Sequence, residues 1–184
     1  MRTTTAFILF ALYAALCGCG QNPSPSAEAI AAFTDAAFKG QTLPVAAALA
    51  SGMPVDQLGK DGNSALMLAA FNGHTETMHI LLDAGADVSL RDSDGRTPLM
   101  FAATGPFPVA VRLLLKNGSD VNAIGSTEHF SALMFAAGEG LSPIVDILLY
   151  AGADPTLKDI DGDTAASFAR QRGFPALADK LDSL

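Results

Sequence analysis

The sequence predicts an all-α solenoid, a single file of about five helix-turn-helix repeats, and three observations lead there. Three seven-residue segments are near copies of one another: SALMLAA at Ser64–Ala70, TPLMFAA at Thr97–Ala103 and SALMFAA at Ser131–Ala137, spaced by 33 and 34 residues. A second series keeps the same offsets, with LLDAGAD at Leu81–Asp87, LLKNGSD at Leu114–Asp120 and LLYAGAD at Leu148–Asp154. Two motifs on one period mark stacked units, none of which buries its apolar face alone. The third observation is punctuation. A hydroxyl residue opens the first motif, prolines recur near the start of second helices, and a glycine after the Leu pair closes those helices. These are the residues that start and stop helices.

Taken in order, the chain opens on a segment unlike the repeats. Met1–Thr5 is short and positively charged, and Ala6–Leu16 (AFILFALYAAL) is an unbroken apolar run of eleven residues. That is well short of the roughly 20 residues a bilayer span needs, and it fits the apolar core of an export signal. Leu16-Cys17-Gly18-Cys19 follows and resembles the bacterial lipobox, with Leu three residues before an invariant Cys and a small residue just before it. The departure is Cys17, where Ala, Ser or Thr is usual. The resemblance implies that residues 1–18 are a lipoprotein signal peptide and that Cys19 is the lipidated residue. Each buried acyl methylene would add roughly 0.8 kcal/mol to the anchor. Gly20 rather than Asp after that Cys points, by analogy with enteric sorting, to a periplasmic protein held at the outer membrane. An ordinary cleaved signal and a buried N-terminal helix are the alternatives. Residues 19–27, polar and rich in Pro and Ser, bury no apolar area and read as a flexible tether.

Residues 28–184 hold the repeats. Residues 28–60 form a degenerate first unit, with helices expected around Glu28–Lys39 and Leu43–Ser51. Residues 61–93, 94–127 and 128–160 are good copies, and 161–184 is a truncated last unit with Thr164-Ala165-Ala166 and then Pro175 to Leu181. Ser64, Thr97 and Ser131 are placed to cap first helices, their hydroxyls accepting from amides that lack a helical partner. Pro98 falls at the first helical position, where a missing N–H costs nothing. The Ala pairs leave room for the neighbouring repeat. Second helices begin near Pro44, Pro108, Pro143 and Pro175, and Gly52, Gly85, Gly118 and Gly152 end them in a left-handed residue. Ala-Asp or Ser-Asp then leads into a finger with a tight turn at Lys60-Asp61-Gly62, Ser93-Asp94-Gly95 or Asp161-Gly162-Asp163. One residue inserted within Ile124–Phe130 makes the third finger longer and irregular. Atypical end units suit a stack whose outermost faces meet water.

Helix, turn, helix and β-turn finger at this period resemble the ankyrin repeat, with Thr97-Pro98-Leu99 and Gly85-Ala86-Asp87-Val88 as its characteristic tokens. The resemblance implies an ankyrin-repeat solenoid over residues 28–184. Where the family has His after the capping Leu, this chain has Met67, Met100 and Met134. The polar tie that His makes within its repeat is therefore expected to be missing. The methionines read as flexible core filler on the inner helices, in preference to a ligand stripe for a soft metal.

Composition and motif searches narrow the chemistry. Formal charge is −8, and loss of Arg2 with the signal leaves ten basic against 19 acidic residues, or −9. Such a surface repels phosphate backbones, so nucleic acid is not an expected partner, whereas a basic protein is. The only cysteines, Cys17 and Cys19, exclude an internal disulfide within the repeats. Asp159-Ile160-Asp161-Gly162-Asp163 fails as a calcium loop, because Leu157 and Phe168 would occupy its first and twelfth positions. His74, His79 and His129 form no metal or catalytic set, and His74 after Gly73 sits at the family's turn position. No nucleophile and base are paired by spacing, and no glycine-rich phosphate loop is present. The expectation is a monomer with neither catalytic activity nor a cofactor.

Binding surfaces in this family lie on the concave side, formed by finger tips and exposed positions of the first helices. Mapped residue by residue, the helix positions are Phe71, Asn72, Thr104, Gly138, Glu139, Gln171 and Arg172. The finger positions are Lys60, Asp61, Asn63, Ser93, Asp94, Arg96, Phe130, Asp161 and Asp163. Of these, Phe71, Asn72, Asp94, Arg96, Thr104, Phe130, Glu139, Asp161, Asp163 and Arg172 are the candidate partner-binding residues. Phe71 and Phe130 stand out, since an aromatic in a solvent-facing slot either anchors a partner or folds onto its own repeat. The chain is similar to small bacterial periplasmic ankyrin proteins, some of which are associated with catalase and peroxide resistance. That resemblance implies an envelope-tethered adaptor for a periplasmic enzyme; an immunity protein against an exported toxin or enzyme is the second reading.

Overall fold

First helices begin where a hydroxyl residue ends a stretch of extended chain. The computed structural model describes residues 24–184, so the proposed signal peptide, Cys19 and residues 19–23 of the proposed tether lie outside the described residues. The first helices are α1 (Ala27–Phe38), α3 (Ala65–Phe71), α5 (Pro98–Ala102), α7 (Ala132–Gly138) and α9 (Ala165–Gln171). The second helices are α2 (Thr42–Ala50), α4 (Thr75–Asp83), α6 (Pro108–Lys116), α8 (Ser142–Tyr150) and α10 (Pro175–Asp182). Each first helix packs on the next, α1 on α3 through to α7 on α9, and the second helices from α2 to α8 form a parallel row behind them. The result is an all-α ankyrin-type solenoid.

The caps divide in an informative way. Ser64 Oγ accepts from the Met67 amide at 3.3 Å and Ser131 Oγ from the Met134 amide at 3.2 Å. Thr97 does not follow: its hydroxyl is buried without a partner, and the Met100 amide lies 3.0 Å from the Thr97 carbonyl instead. The expected loss of the family's polar tie is also corrected. The Ser64, Thr97 and Ser131 amides each donate to a methionine sulfur, to Met67 Sδ at 3.4 Å, Met100 Sδ at 3.4 Å and Met134 Sδ at 3.3 Å. A thioether is a weak acceptor, yet it reaches the buried amide in all three units and at Ser64 and Ser131 completes a capping box. All three methionines are buried, so one side chain both fills the core and satisfies the cap.

Between helices the backbone is fixed by the residues the repeat conserves internally. Gly52, Gly85, Gly118 and Gly152 end second helices with φ between 87° and 92°. The following Asp turns the chain into the finger: Asp87 Oδ1 accepts from the Ser89 amide at 2.8 Å, and Asp154 Oδ1 from the Thr156 amide at 2.8 Å. Both carboxyls are held below the usual Asp range, first by the Ser89 or Thr156 hydroxyl and then by the amide. Neighbouring units are joined in register. The Asn122 amide donates to the Gly152 carbonyl at 3.1 Å while its Oδ1 accepts from the Asp154 amide at 2.8 Å.

The core is one continuous layer. Leu66, Leu99 and Leu133 from the first helices and Leu81, Leu114 and Leu148 from the second are fully buried, each worth about 1.5–3 kcal/mol relative to exposure. The Ala pairs Ala69-Ala70, Ala102-Ala103 and Ala136-Ala137 are buried between first helices, where a larger side chain would force the repeats apart. Residues that open the second helices lie on the preceding unit. The Phe107 ring covers Gly73, the Phe174 ring covers Gly140, and His74 covers Gly40, so closely that a Cβ at any of these glycines would collide. His74 Nε2 also lies 3.0 Å from the Phe38 carbonyl, which gives this histidine a structural task.

The ends differ. The last unit is polar, with Arg170 bonded to Asp182 at 2.5 Å and Lys180 paired with Asp146. The first unit keeps an apolar cavity of about 450 Å³ at its open end, lined by residues including Ala29, Ala32, Phe33, Ala48 and Met53. Among the described residues no helix is long and apolar enough to cross a membrane.

Candidate functional site

The repeat period places chemically similar side chains side by side along the face shared by first helices and fingers. Phe38 and Phe71 occupy the same position in successive units, and their rings stack at 6.4 Å between centroids and 17° between planes. Phe71 meets Phe101 edge-on at 6.3 Å and 77°. Farther along, Phe130 packs edge-on against Phe135 at 5.6 Å and Phe168 at 5.2 Å. Such pairs hold each other rigid and add about 0.5–1.5 kcal/mol beyond their burial. Phe38 and Phe71 nevertheless remain 41% exposed each, while Phe130 is half-buried. The two alternatives for the predicted anchors thus separate: Phe71 presents an open ring, and Phe130 is folded down as a wedge between two repeats.

The fingers are built on a buried carboxylate. Asp92 Oδ1 accepts from the amides of Asp94 at 3.0 Å and Arg96 at 2.7 Å, and Asp92 Oδ2 holds the Arg96 guanidinium at 2.7 Å. Arg96 also pairs with Asp94 at 3.3 Å, and its guanidinium carbon lies 4.8 Å above the Phe101 ring. Asp159 repeats the pattern, accepting from the Asp161 amide at 3.0 Å and the Asp163 amide at 2.8 Å. Its carboxylate is thereby engaged in shaping a finger. The inserted residue has a definite form: Ile124 and Ser131 make an antiparallel bridge, the Gly125 amide donates to the Phe130 carbonyl at 3.0 Å, and His129 takes φ 59°. Arg91 ties this finger to its neighbour by donating to the Ile124 carbonyl at 2.7 Å, and the Ser126 amide donates to the Asp94 carbonyl at 2.8 Å.

The enlarged finger and its neighbour enclose a pocket of about 210 Å³, lined by Asp94, Arg96, Gly125, Thr127, Glu128, Phe130 and Phe135. Three predicted site residues, Asp94, Arg96 and Phe130, are brought together there. The others are dispersed. Asn72 donates to the Phe38 carbonyl at 2.8 Å and so serves the joint between repeats. Thr104 bonds the Phe101 carbonyl of its own helix at 2.8 Å. Asp163 accepts from Gln171 at 2.9 Å, while Glu139, Asp161 and Arg172 are exposed along the rest of the face. Sequence mapping missed Phe38, Phe101, Phe135 and Phe168. The signal was available, since Phe38 precedes Phe71 by 33 residues and Phe101, Phe135 and Phe168 share one position of the repeat.

A family model described as Ankyrin repeats (3 copies) matches the sequence over residues 10–92, 33–125 and 85–159, more than half of the chain. No curated protein matches it.

Proposed function

The chain belongs to the ankyrin-repeat family, a protein–protein interaction module, and from that premise we propose that it is an adaptor acting by binding alone, through the face of fingers and first helices. One observation carries the reading: the Phe38–Phe71 stack is exposed yet already ordered by its neighbours. A partner gains apolar contact there without freezing loose side chains, which is how a rigid surface converts modest area into affinity. Acidic finger residues such as Asp61, Asp94 and Asp161 favour a partner with a basic surface. Crosslinking and capture of the full chain test this. Phe71→Ala and Asp94→Lys should each reduce capture, and capture unchanged in both would refute the assignment of this face.

The proposed setting is the bacterial envelope. Leu16-Cys17-Gly18-Cys19 behind an eleven-residue apolar run supports lipidation at Cys19 and tethering on the periplasmic side of the outer membrane. A periplasmic enzyme such as catalase is the partner this setting favours, on the resemblance to periplasmic ankyrin proteins. Cys19→Ala should release the protein into the soluble fraction, and continued sedimentation with membranes would refute the anchor.

A further inference from the structure

The pocket beside the enlarged finger has a chemistry more specific than a general protein-binding face. Its floor is aromatic, formed by Phe130 and Phe135, and its rim carries Asp94 and Glu128. At about 210 Å³ it is smaller than an ordinary small-molecule site and suits one long side chain. Charge is unbalanced there. Asp92 and Asp94 share the single guanidinium of Arg96, and among the described residues Glu128 makes no ion pair.

The adjacent unit shows what such an arrangement accepts. Arg96 lies over Phe101 while two carboxylates grip its nitrogens. Phe101 and Phe135 occupy the same position of the repeat, but the residue matching Arg96 is Phe130, which meets Phe135 edge-on. The next unit therefore adds an aromatic floor and the carboxylate of Glu128 without a cation of its own, while the Arg96 guanidinium that also lines the pocket is already held by Asp92 and Asp94. A guanidinium suits the vacancy better than an ammonium. It is planar, weakly hydrated and stacks on rings, and it forks toward carboxylates in the same pose.

Resting on the adaptor reading above, we propose that this pocket receives an arginine side chain projecting from the partner protein. The enlarged finger supplies one wall of the pocket, with Thr127 and Glu128 lining it together with Asp94.

The probe is Nα-acetyl-arginine methylamide, titrated at millimolar concentration into the 15N-labelled full chain, with the lysine and norleucine derivatives as comparisons. Saturable shifts of the Gly125, Thr127 and Glu128 amides are expected with the arginine derivative. They should be weakened roughly tenfold in the Asp94→Asn/Glu128→Gln double variant. Both changes are on the surface, and an otherwise unchanged amide spectrum verifies that the variant is folded. Absence of shifts, or equal response to norleucine, overturns the pocket; equal response to lysine overturns the choice of guanidinium. The adaptor reading fails separately. If Phe71→Ala abolishes partner capture while the double variant leaves it intact, the face stands and the arginine pocket falls.

Discussion

Gly73 and Gly118 both lie in the left-handed region, with φ of 66° and 89°, but a methyl group would meet different surroundings at each. At Gly118 nothing lies within 4 Å of an added Cβ, so Gly118→Ala reports the backbone term alone, about 1–2 kcal/mol. At Gly73 the same methyl runs into the Phe107 ring and comes within 2.9 Å of the Phe107 Cβ. Neither carbon can turn away, because both are fixed to backbone. Relief requires shifting the start of α6 or lifting Phe107 off the preceding repeat, an overpacking penalty of about 1–3 kcal/mol more. Gly73→Ala should therefore destabilise by about 2–5 kcal/mol. In a Phe107→Ala background the ring atoms are gone and only the 2.9 Å contact with the retained Cβ is left, so the added cost should fall most of the way toward that of Gly118→Ala, a coupling of about 1–3 kcal/mol. Urea unfolding followed by circular dichroism measures all four variants, with shifted midpoints at constant m. Equal losses at Gly73 and Gly118, or a Gly73 penalty undiminished in the Phe107→Ala background, would show that this ring does not lock the repeats.

Three further outcomes are expected. Met67→Leu and Met134→Leu keep the volume but strip an acceptor from a buried amide, and each should lose about 0.5–1.5 kcal/mol in the same unfolding assay; neutral replacements would reduce the sulfurs to filler. Asp92→Ala removes the acceptor for two amides and a guanidinium, and should cost about 2–4 kcal/mol. Loss of the Asp94 and Arg96 amide protection in hydrogen exchange is the accompanying sign, and an unchanged finger would contradict it. The Asp87 and Asp154 carboxyls should titrate by NMR below the ordinary Asp value. Because the folded value is the lower one, their contribution is present above the unfolded pKa and disappears as pH falls through the folded value; midpoints at or above the ordinary value would remove it.

The fold was legible because the repeat states it several times. Hydroxyl, Ala pair, Leu pair and Gly recur at fixed offsets, so an ambiguous first unit could be read through its better copies, and α1 at Ala27–Phe38 lies within one residue of the expected Glu28–Lys39. What the sequence left open concerns contacts between units. Whether Phe71 points to water depends on Phe38 and Phe101, and Phe130 is drawn down because Phe135 and Phe168 flank it. Asn72 reads as a free surface amide until the Phe38 carbonyl of the previous repeat comes within reach. The methionine sulfurs were hidden for a different reason. Met signals apolar filling by composition, and its acceptor role exists only once Ser64, Thr97 or Ser131 is fixed as a cap.

Photocrosslinking in intact cells separates the two sides of the stack most directly. Benzoylphenylalanine at Phe71 or Thr127 samples the finger face, and at Tyr150, 94% exposed at the end of α8, it samples the row of second helices. A partner held by the finger face gives one adduct of the same mass from Phe71 and Thr127, and none from Tyr150. Adducts from Tyr150 with none from the other two would put the binding surface on the opposite side.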